Sequence, residues 1–219
     1  SLAYSYDAST YAACSSTQIY TNRHAGQSWV LDNAGASNYS GIALSEDGNY
    51  IFTCTSSGPP TLQYGTSFNA TTAYTWNTLS NTIPASVLSS ISCNHDGTLL
   101  YTTESNGDIW VGNGPILTTW TWSNPKQRSW KKIAASQNGV VAAVEDGMLR
   151  PEIGGYIYTS NDYGQNWVQH KTDAGGNSLL NTWSSVMVSS DGSTILAVPS
   201  NASTIWKGSF NGSSWTWHT

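Results

Sequence analysis

Charged side chains are scarce in this chain of 219 residues, making up 10% of it, with eight Lys and Arg against 13 Asp and Glu. The formal net charge is −5. A chain of this kind lacks the basic surface that neutralises a phosphate backbone, so nucleic acid is excluded as a partner. Since no run of about 18 apolar residues occurs, the sequence predicts no insertion into a membrane.

Cysteine is also rare. Cys14, Cys54 and Cys93 fall inside apparent strands and lack the C-x-x-C or nearby histidine spacing of a metal site. Small buried hydrophobic residues explain them, and at most one disulfide is the alternative. We therefore predict no metal site and no cofactor.

Helical periodicity is missing, because Gly, Ser or Asn interrupts each run that begins to follow it. Aromatic residues are plentiful instead, with 11 Trp and 12 Tyr. Aromatic and β-branched residues separated by turn formers are typical of many short strands. The predicted fold class is all-β.

One hairpin recurs five times, at intervals of 40 to 53 residues, and each copy is flanked by short apolar strands. Its turns are centred on Asp7, Asp47, Asp96, Asn138 and Asp191. A third strand with Tyr or Trp and a fourth strand with Trp follow each hairpin. Repetition of a four-stranded unit predicts a β-propeller.

We expect a single domain, a five-bladed β-propeller with four-stranded antiparallel blades. The alternative is part of a six- or seven-bladed ring. The expected blades are residues 1–38, 39–85, 86–129, 130–183 and 184–219.

The stretch from Ser160 to Trp167 reads Ser-Asn-Asp-Tyr-Gly-Gln-Asn-Trp and lies between two strand-like runs. It resembles the Asp-box, or BNR repeat, of sialidases and other β-propellers. In that family the Ser and Asp bond to the backbone of their own turn, and the Trp packs between sheets. The resemblance implies these structural roles for Ser160, Asp162, Gly164 and Trp167, and it leaves the activity open.

Catalysis is not favoured by the sequence. Sialidases resemble this chain in the box, but they also use a Phe-Arg-Ile-Pro motif that is absent here. A glycoside hydrolase needs two carboxylates about 5 to 10 Å apart. Glu104, Asp108 and Glu145, on the face opposite the Asp-box, are the candidates, but solvated loop acids explain them more simply.

Bulky residues occur eight positions before the hairpin Asp or Asn in four repeats, and these are Tyr39, Leu88, Trp130 and Trp183. They either pack between blades as core or form platforms for pyranose rings, as in propeller lectins. The predicted ligand-binding residues are Tyr39, Trp130, Trp183, Glu104, Asp108 and Arg150.

The predicted function is that of a non-catalytic, lectin-like module, secreted or exposed on a surface, which binds glycans or glycoproteins. One alternative is a structural module that docks other protein subunits in an extracellular or virion assembly. The other is a glycoside hydrolase.

Overall fold

The structure is a computed structural model. It describes residues 1–23, 28–32, 35, 38–56, 61–67, 73–79, 83, 87–113, 120–147, 154–200 and 203–219, with backbone alone at 122 and 124–127. The described residues form 20 strands and no helix. They make five sheets of four strands, and within each sheet the strands lie side by side in chain order. The predicted all-β fold of five four-stranded antiparallel blades is confirmed.

The first sheet contains β1 (Leu2–Tyr4), β2 (Tyr11–Cys14), β3 (Ile19–Asn22) and β4 (Val30–Asp32). The second contains β5 (Tyr39–Leu44), β6 (Tyr50–Thr55), β7 (Leu62–Thr66) and β8 (Thr75–Thr78). The third contains β9 (Leu88–Cys93), β10 (Leu99–Glu104), β11 (Gly107–Asn113) and β12 (Trp120–Arg128). The fourth contains β13 (Trp130–Ala135), β14 (Val141–Glu145), β15 (Ile157–Ser160) and β16 (Val168–His170). The fifth contains β17 (Trp183–Val188), β18 (Thr194–Pro199), β19 (Trp206–Phe210) and β20 (Trp215–His218).

The chain divides into two compact units, one made of Ser1–Thr102 with Trp110–Thr121 and the other of Thr103–Ile109 with Trp122–Thr219. In the first unit, neighbouring sheets enclose an apolar cluster that includes Ala12, Ile19, Ile42, Leu44 and Ile51. A second cluster there includes Phe52, Leu62, Leu88, Ile91 and Leu100. In the second unit, the core includes Ala142, Ile157, Trp183, Val186, Ala197 and Trp217.

Three of the five hairpins between first and second strands are held by a Ser and an Asp two residues apart. Ser45 Oγ donates to Asp47 Oδ1 at 2.6 Å, and the Tyr50 amide donates back to Ser45 Oγ at 3.0 Å. The same side-chain bond joins Ser189 to Asp191 at 2.6 Å. These carboxylates therefore shape the turns, because they satisfy backbone donors that the strands leave unpaired.

The three cysteines are free thiols, two of them buried and Cys14 half-buried. Burial, with nearby carboxylates, raises the pKa of Cys93 to about 12. The thiol therefore stays protonated near neutral pH and acts as a small apolar side chain.

Glycines in the third strand make room for tryptophans in the fourth. A β-carbon at position 208 would lie 2.9 Å from the Trp217 ring, and one at position 112 would lie 2.7 Å from the Trp120 ring. Gly208 and Trp217 are paired across β19 and β20. The indole thus covers a residue that has no side chain of its own.

Gly208→Ala is expected to destabilise the protein by about 1–3 kcal/mol, because the added methyl overpacks against the buried Trp217 ring. Urea unfolding followed by tryptophan fluorescence measures the loss. Gly175→Ala in an exposed turn is the control, since its nearest neighbour is the Asn177 amide at 3.1 Å. Equal stability of the two variants would contradict the packing argument.

His170 gives the fold a pH dependence. Its Nε2 lies 2.8 Å from Thr159 Oγ1 and its ring lies 5.3 Å from that of Trp217. Burial lowers the pKa of His170 to about 4. The unfolded chain takes up this proton near pH 6.5, so stability falls as pH drops from about 6.5 to 4 and is level above that range.

The expected loss over this window is roughly 2–3 kcal/mol. Urea unfolding at several pH values measures it in the wild type and in His170→Gln. The variant should lack the decline between pH 6.5 and 4 that the wild type shows. A parallel pH dependence in both proteins would show that His170 is not responsible.

Candidate functional site

The turn from Ser160 to Trp167 is held by its own side chains. Ser160 Oγ donates to Asp162 Oδ1 at 2.7 Å and accepts from the Gly164 amide at 2.9 Å. Asp162 Oδ1 also accepts from the Asn166 amide at 2.8 Å. Burial disfavours the charge, but these hydrogen bonds outweigh it and lower the pKa of Asp162. The carboxylate is therefore occupied in shaping the turn.

Trp167 joins this turn to β12 of the preceding sheet. Its Nε1 donates to Ser123 Oγ at 2.7 Å and to the Gly164 carbonyl at 3.0 Å. In the first unit, Trp76 Nε1 donates in the same way to Asp32 Oδ1 at 2.7 Å. Trp76 and Trp167 therefore each join their own sheet to the preceding one.

Tyr163 is the unusual residue of this turn. Its φ is +60°, in the left-handed region where Gly and Asn are favoured. The side chain is 45% exposed. Its backbone amide donates to the Gly139 carbonyl at 2.9 Å, and a β-carbon at position 139 would lie 2.6 Å from the tyrosine ring. One side of the ring thus rests on Gly139 while much of the rest meets solvent.

The bulky residues at the start of the inner strands are buried. Tyr39 is 8% exposed, Trp130 1% and Trp183 0%. Trp130 packs edge-on against Tyr158 with ring centroids 5.2 Å apart, and Trp183 Nε1 donates to the Gly155 carbonyl at 2.9 Å. Since protein covers their rings, the structure favours the core alternative over the sugar platform.

Glu104 and Asp108 lie together at the β10–β11 turn. The Asp108 amide donates to Glu104 Oε2 at 3.1 Å, and the Glu104 side chain folds over Gly107. Glu104 is 7% exposed, so its interpretation as a solvated loop acid is wrong. Burial raises the pKa of Asp108, which remains partly exposed.

Glu145 is likewise buried, at 2% exposure, and is not a solvated loop acid. Its Oε1 pairs with Arg128 Nη1 at 3.0 Å, and its Oε2 accepts from the Tyr156 amide at 2.9 Å. The Arg128 guanidinium lies over the Tyr158 ring, 4.9 Å from the centroid. Both carboxylate oxygens are thus engaged. Arg150, the remaining predicted ligand residue, lies outside the described residues.

Solved structures identify the architecture. Hydrazine synthase of Kuenenia stuttgartiensis matches with a TM-score of 0.66 and 12% identity over 94% of this chain and 60% of that one. An ancestral GH74 enzyme matches with a TM-score of 0.71 and 16% identity, over 100% of this chain and 32% of that one. A nidogen/laminin complex matches with a TM-score of 0.69 and 13% identity, over 98% of this chain and 76% of that one. The fold is that of a β-propeller.

Sequence identities this low establish the fold alone. The chain spans less than two thirds of the hydrazine synthase and GH74 chains that it matches. No protein-family model matches the sequence. A search of curated proteins finds no match. Membership of the Asp-box family therefore remains a prediction.

Two further properties of the described residues bear on function. Nowhere among them do three or more His, Cys, Asp or Glu side chains gather as metal ligands would. That same part of the chain has no helix long and apolar enough to cross a membrane.

The sequence pattern indicated no function for Tyr163, although Tyr163 lies within the stretch from Ser160 to Trp167 that resembles the Asp-box. The available signal was a bulky residue directly after the turn Asp. The equivalent position in four of the five hairpins is Gly48, Gly97, Gly139 or Gly192, and in the fifth it is Ala8 with φ of 54°, so all five have a positive φ. A tyrosine in such a place departs from what turn chemistry favours.

Arg128→Met is expected to destabilise the protein by about 3–5 kcal/mol, because it leaves the Glu145 charge buried without its ion-pair partner. The double variant Arg128→Met/Glu145→Met should recover most of this loss. Urea unfolding of the two variants and the wild type measures the coupling. A double variant as unstable as the single one would contradict the ion-pair explanation.

Proposed function

We propose that the chain is a non-catalytic binding module for glycans, displayed outside the cell. The observation that carries the proposal is Tyr163, a solvent-exposed aromatic ring held on a rigid turn in a strained backbone conformation. The scarcity of charge and the abundance of Trp, Tyr, Ser and Thr support an extracellular setting.

The backbone strain at Tyr163 argues that its side chain has a use. A non-glycine residue in a sparsely populated backbone region costs on the order of 1–3 kcal/mol. Glycine would adopt φ of +60° without that cost. An aromatic face that is exposed at such a position offers what a pyranose ring stacks on.

Exposed amide side chains adjoin Tyr163 in its turn and adjoin Gly139, which the tyrosine ring contacts. Asn138, Asn161 and Gln165 are exposed. Asn138 Nδ2 donates to the Asp191 carbonyl at 2.8 Å, and Asn161 Oδ1 accepts from Trp215 Nε1 at 3.2 Å, so both amides are held in place. A few fixed polar groups beside an aromatic surface are the usual means of orienting a sugar.

The hydrogen bonds of Glu104 and Glu145 favour binding over hydrolysis. Glycoside hydrolysis requires one acid to give a proton and a second carboxylate to attack or to activate water. Glu145 bonds through both oxygens to Arg128 and the Tyr156 amide. Glu104 accepts from the Asp108 amide. These bonds stabilise structure, so the two acids are poorly suited to proton transfer.

A protein partner is the second candidate, in line with a role in an extracellular or virion assembly. It is favoured by the apolar side chains that the first sheet exposes, among which Leu2 is 63% and Tyr4 60% exposed. Exposed apolar patches commonly mark surfaces that bind other proteins.

A glycan array tests the glycan proposal. The wild type should bind a subset of sugars, and Tyr163→Gly should lose this binding while keeping its stability within about 1 kcal/mol, because the lost ring packing is offset by relief of strain. Tyr163→Phe should retain binding, since it keeps the aromatic face.

Tyr6→Ala is the matched control, because Tyr6 is an aromatic residue that is 75% exposed on another hairpin. It should bind as the wild type does. A wild type that binds no sugar on the array would refute the glycan proposal. Full binding by Tyr163→Gly would remove Tyr163 from the site.

A further inference from the structure

Hydrogen bonds join three turns of the second unit at the end where Tyr163 lies. The Tyr163 amide donates to the Gly139 carbonyl at 2.9 Å, which connects its turn to the β13–β14 hairpin. Asn138 Nδ2 donates to the Asp191 carbonyl at 2.8 Å, which connects that hairpin to the β17–β18 hairpin. This part of the unit is here called the turn end, and it consists of residues 136–139, 160–167 and 189–193. Charges carried by these turns lie close to the tyrosine ring.

Two carboxylates belong to the turn end. Asp162 directly precedes Tyr163, and Asp191 is exposed. Hydrogen bonds from Ser189 and Ser193 lower the pKa of Asp191. The bonds within its own turn lower the pKa of Asp162 as well. Both side chains therefore carry a negative charge at neutral pH.

Positive charge lies toward the opposite ends of the strands. Lys171 comes four residues after Trp167, which corresponds to about 13 Å along a strand. Lys207 comes three residues before the last residue of β19, or about 10 Å. Both distances exceed the Debye length of about 8 Å at physiological ionic strength, so these charges are largely screened at the turn end. The lysine and arginine side chains described in the second unit are those of Arg128, Lys131, Lys132, Lys171 and Lys207.

The uncharged polar groups of the turn end suit hydroxyl groups. Asn161 and Gln165 are exposed, and a side-chain amide both donates and accepts hydrogen bonds. Proteins bind carboxylates strongly through arginine or lysine, which supply charge-assisted hydrogen bonds. The three turns contain neither residue type. A neutral sugar therefore finds suitable partners beside Tyr163, whereas an acidic sugar meets two carboxylates.

We propose that the surface around Tyr163 selects neutral glycans over glycans that carry carboxylate or sulfate groups. This charge specificity depends on the glycan binding proposed above and adds the class of sugar to it. A sugar ring stacked on Tyr163 places its substituents near Asp162 and Asp191, where an acidic group is repelled. At about 8 Å in water, repulsion by one carboxylate weakens binding roughly twofold, so two carboxylates weaken it about fourfold.

The fourth hairpin shows how one of these charges can be removed without changing the turn. Asparagine occurs there at the position where the other hairpins have aspartate. Ser136 Oγ donates to Asn138 Oδ1 at 2.7 Å, as Ser189 Oγ donates to Asp191 Oδ1 at 2.6 Å. Asp191→Asn therefore removes a charge and keeps an acceptor for Ser189.

An array of matched glycan pairs tests this specificity, each pair being a neutral glycan and its sialylated or sulfated derivative. At about 0.01 M salt, where the Debye length is about 30 Å, the wild type should bind the neutral members about fourfold more strongly. The ratio should fall toward one at about 1 M salt, where the Debye length is about 3 Å. Asp191→Asn should lower the ratio at low salt about twofold, because one of the two carboxylates is lost.

Asp173→Asn is the matched control. Asp173 lies six residues beyond Trp167, past the far end of β16, and its Oδ1 accepts from the Asn177 amide at 2.7 Å. Asparagine can keep this bond, so the variant removes one charge away from the turn end. Its ratio of neutral to acidic binding should stay close to that of the wild type. Thermal unfolding shows that both variants remain folded, as expected for substitutions in surface turns.

Two results would overturn the charge specificity alone. One is a wild type that binds the acidic members as strongly as the neutral members or more strongly at low salt. The other is a ratio that Asp191→Asn leaves unchanged. A wild type that binds neither member of any pair would instead refute the glycan proposal, and the charge specificity with it.

Discussion

The structure depends on the packing of one four-stranded sheet against another. A sheet with two apolar sides cannot satisfy both of them alone, so each repeat requires a neighbour before and after it. Ile19, Ile42, Ile157 and Val186 are buried because neighbouring sheets meet these requirements. The repeat thus explains which side chains form the core.

Much of the fold could be predicted because its determinants are local. The turn pairs Ser45–Asp47 and Ser189–Asp191 combine a short-range hydrogen bond with flanking apolar strands, and both signals can be read directly from sequence. Burial was harder to predict, because alternation identifies the two sides of a strand without showing what covers them. Trp183 therefore fitted either a core or a platform until the structure showed it buried.

The candidate site was harder still, since its determinants are distant or conformational. Glu145 lies 17 residues from its partner Arg128, and only the pairing of strands brings the two together. A sequence pattern therefore suggested solvated acids where the structure has a buried ion pair. The positive φ of Tyr163 is also invisible in the sequence, because nothing in the residue type announces a left-handed backbone. Turn chemistry alone would have placed Gly or Asn there.

In a repeat protein, the residue type that recurs at one position shows what folding requires there. A residue that differs from its equivalents in the other repeats is therefore informative. Asp162, Ser160 and Trp167 follow the requirement, and their hydrogen bonds are used within the turn or with a neighbouring strand. Tyr163 departs from the Gly that turn chemistry favours at a positive φ, and its ring contacts Gly139 while the side chain stays 45% exposed. The turn from Ser160 to Trp167 therefore contains the residue on which the proposed function rests. The predicted aromatic residues of the opposite face are buried in the core, whereas Tyr163 in this turn is exposed, so the turn is the better candidate for a binding site.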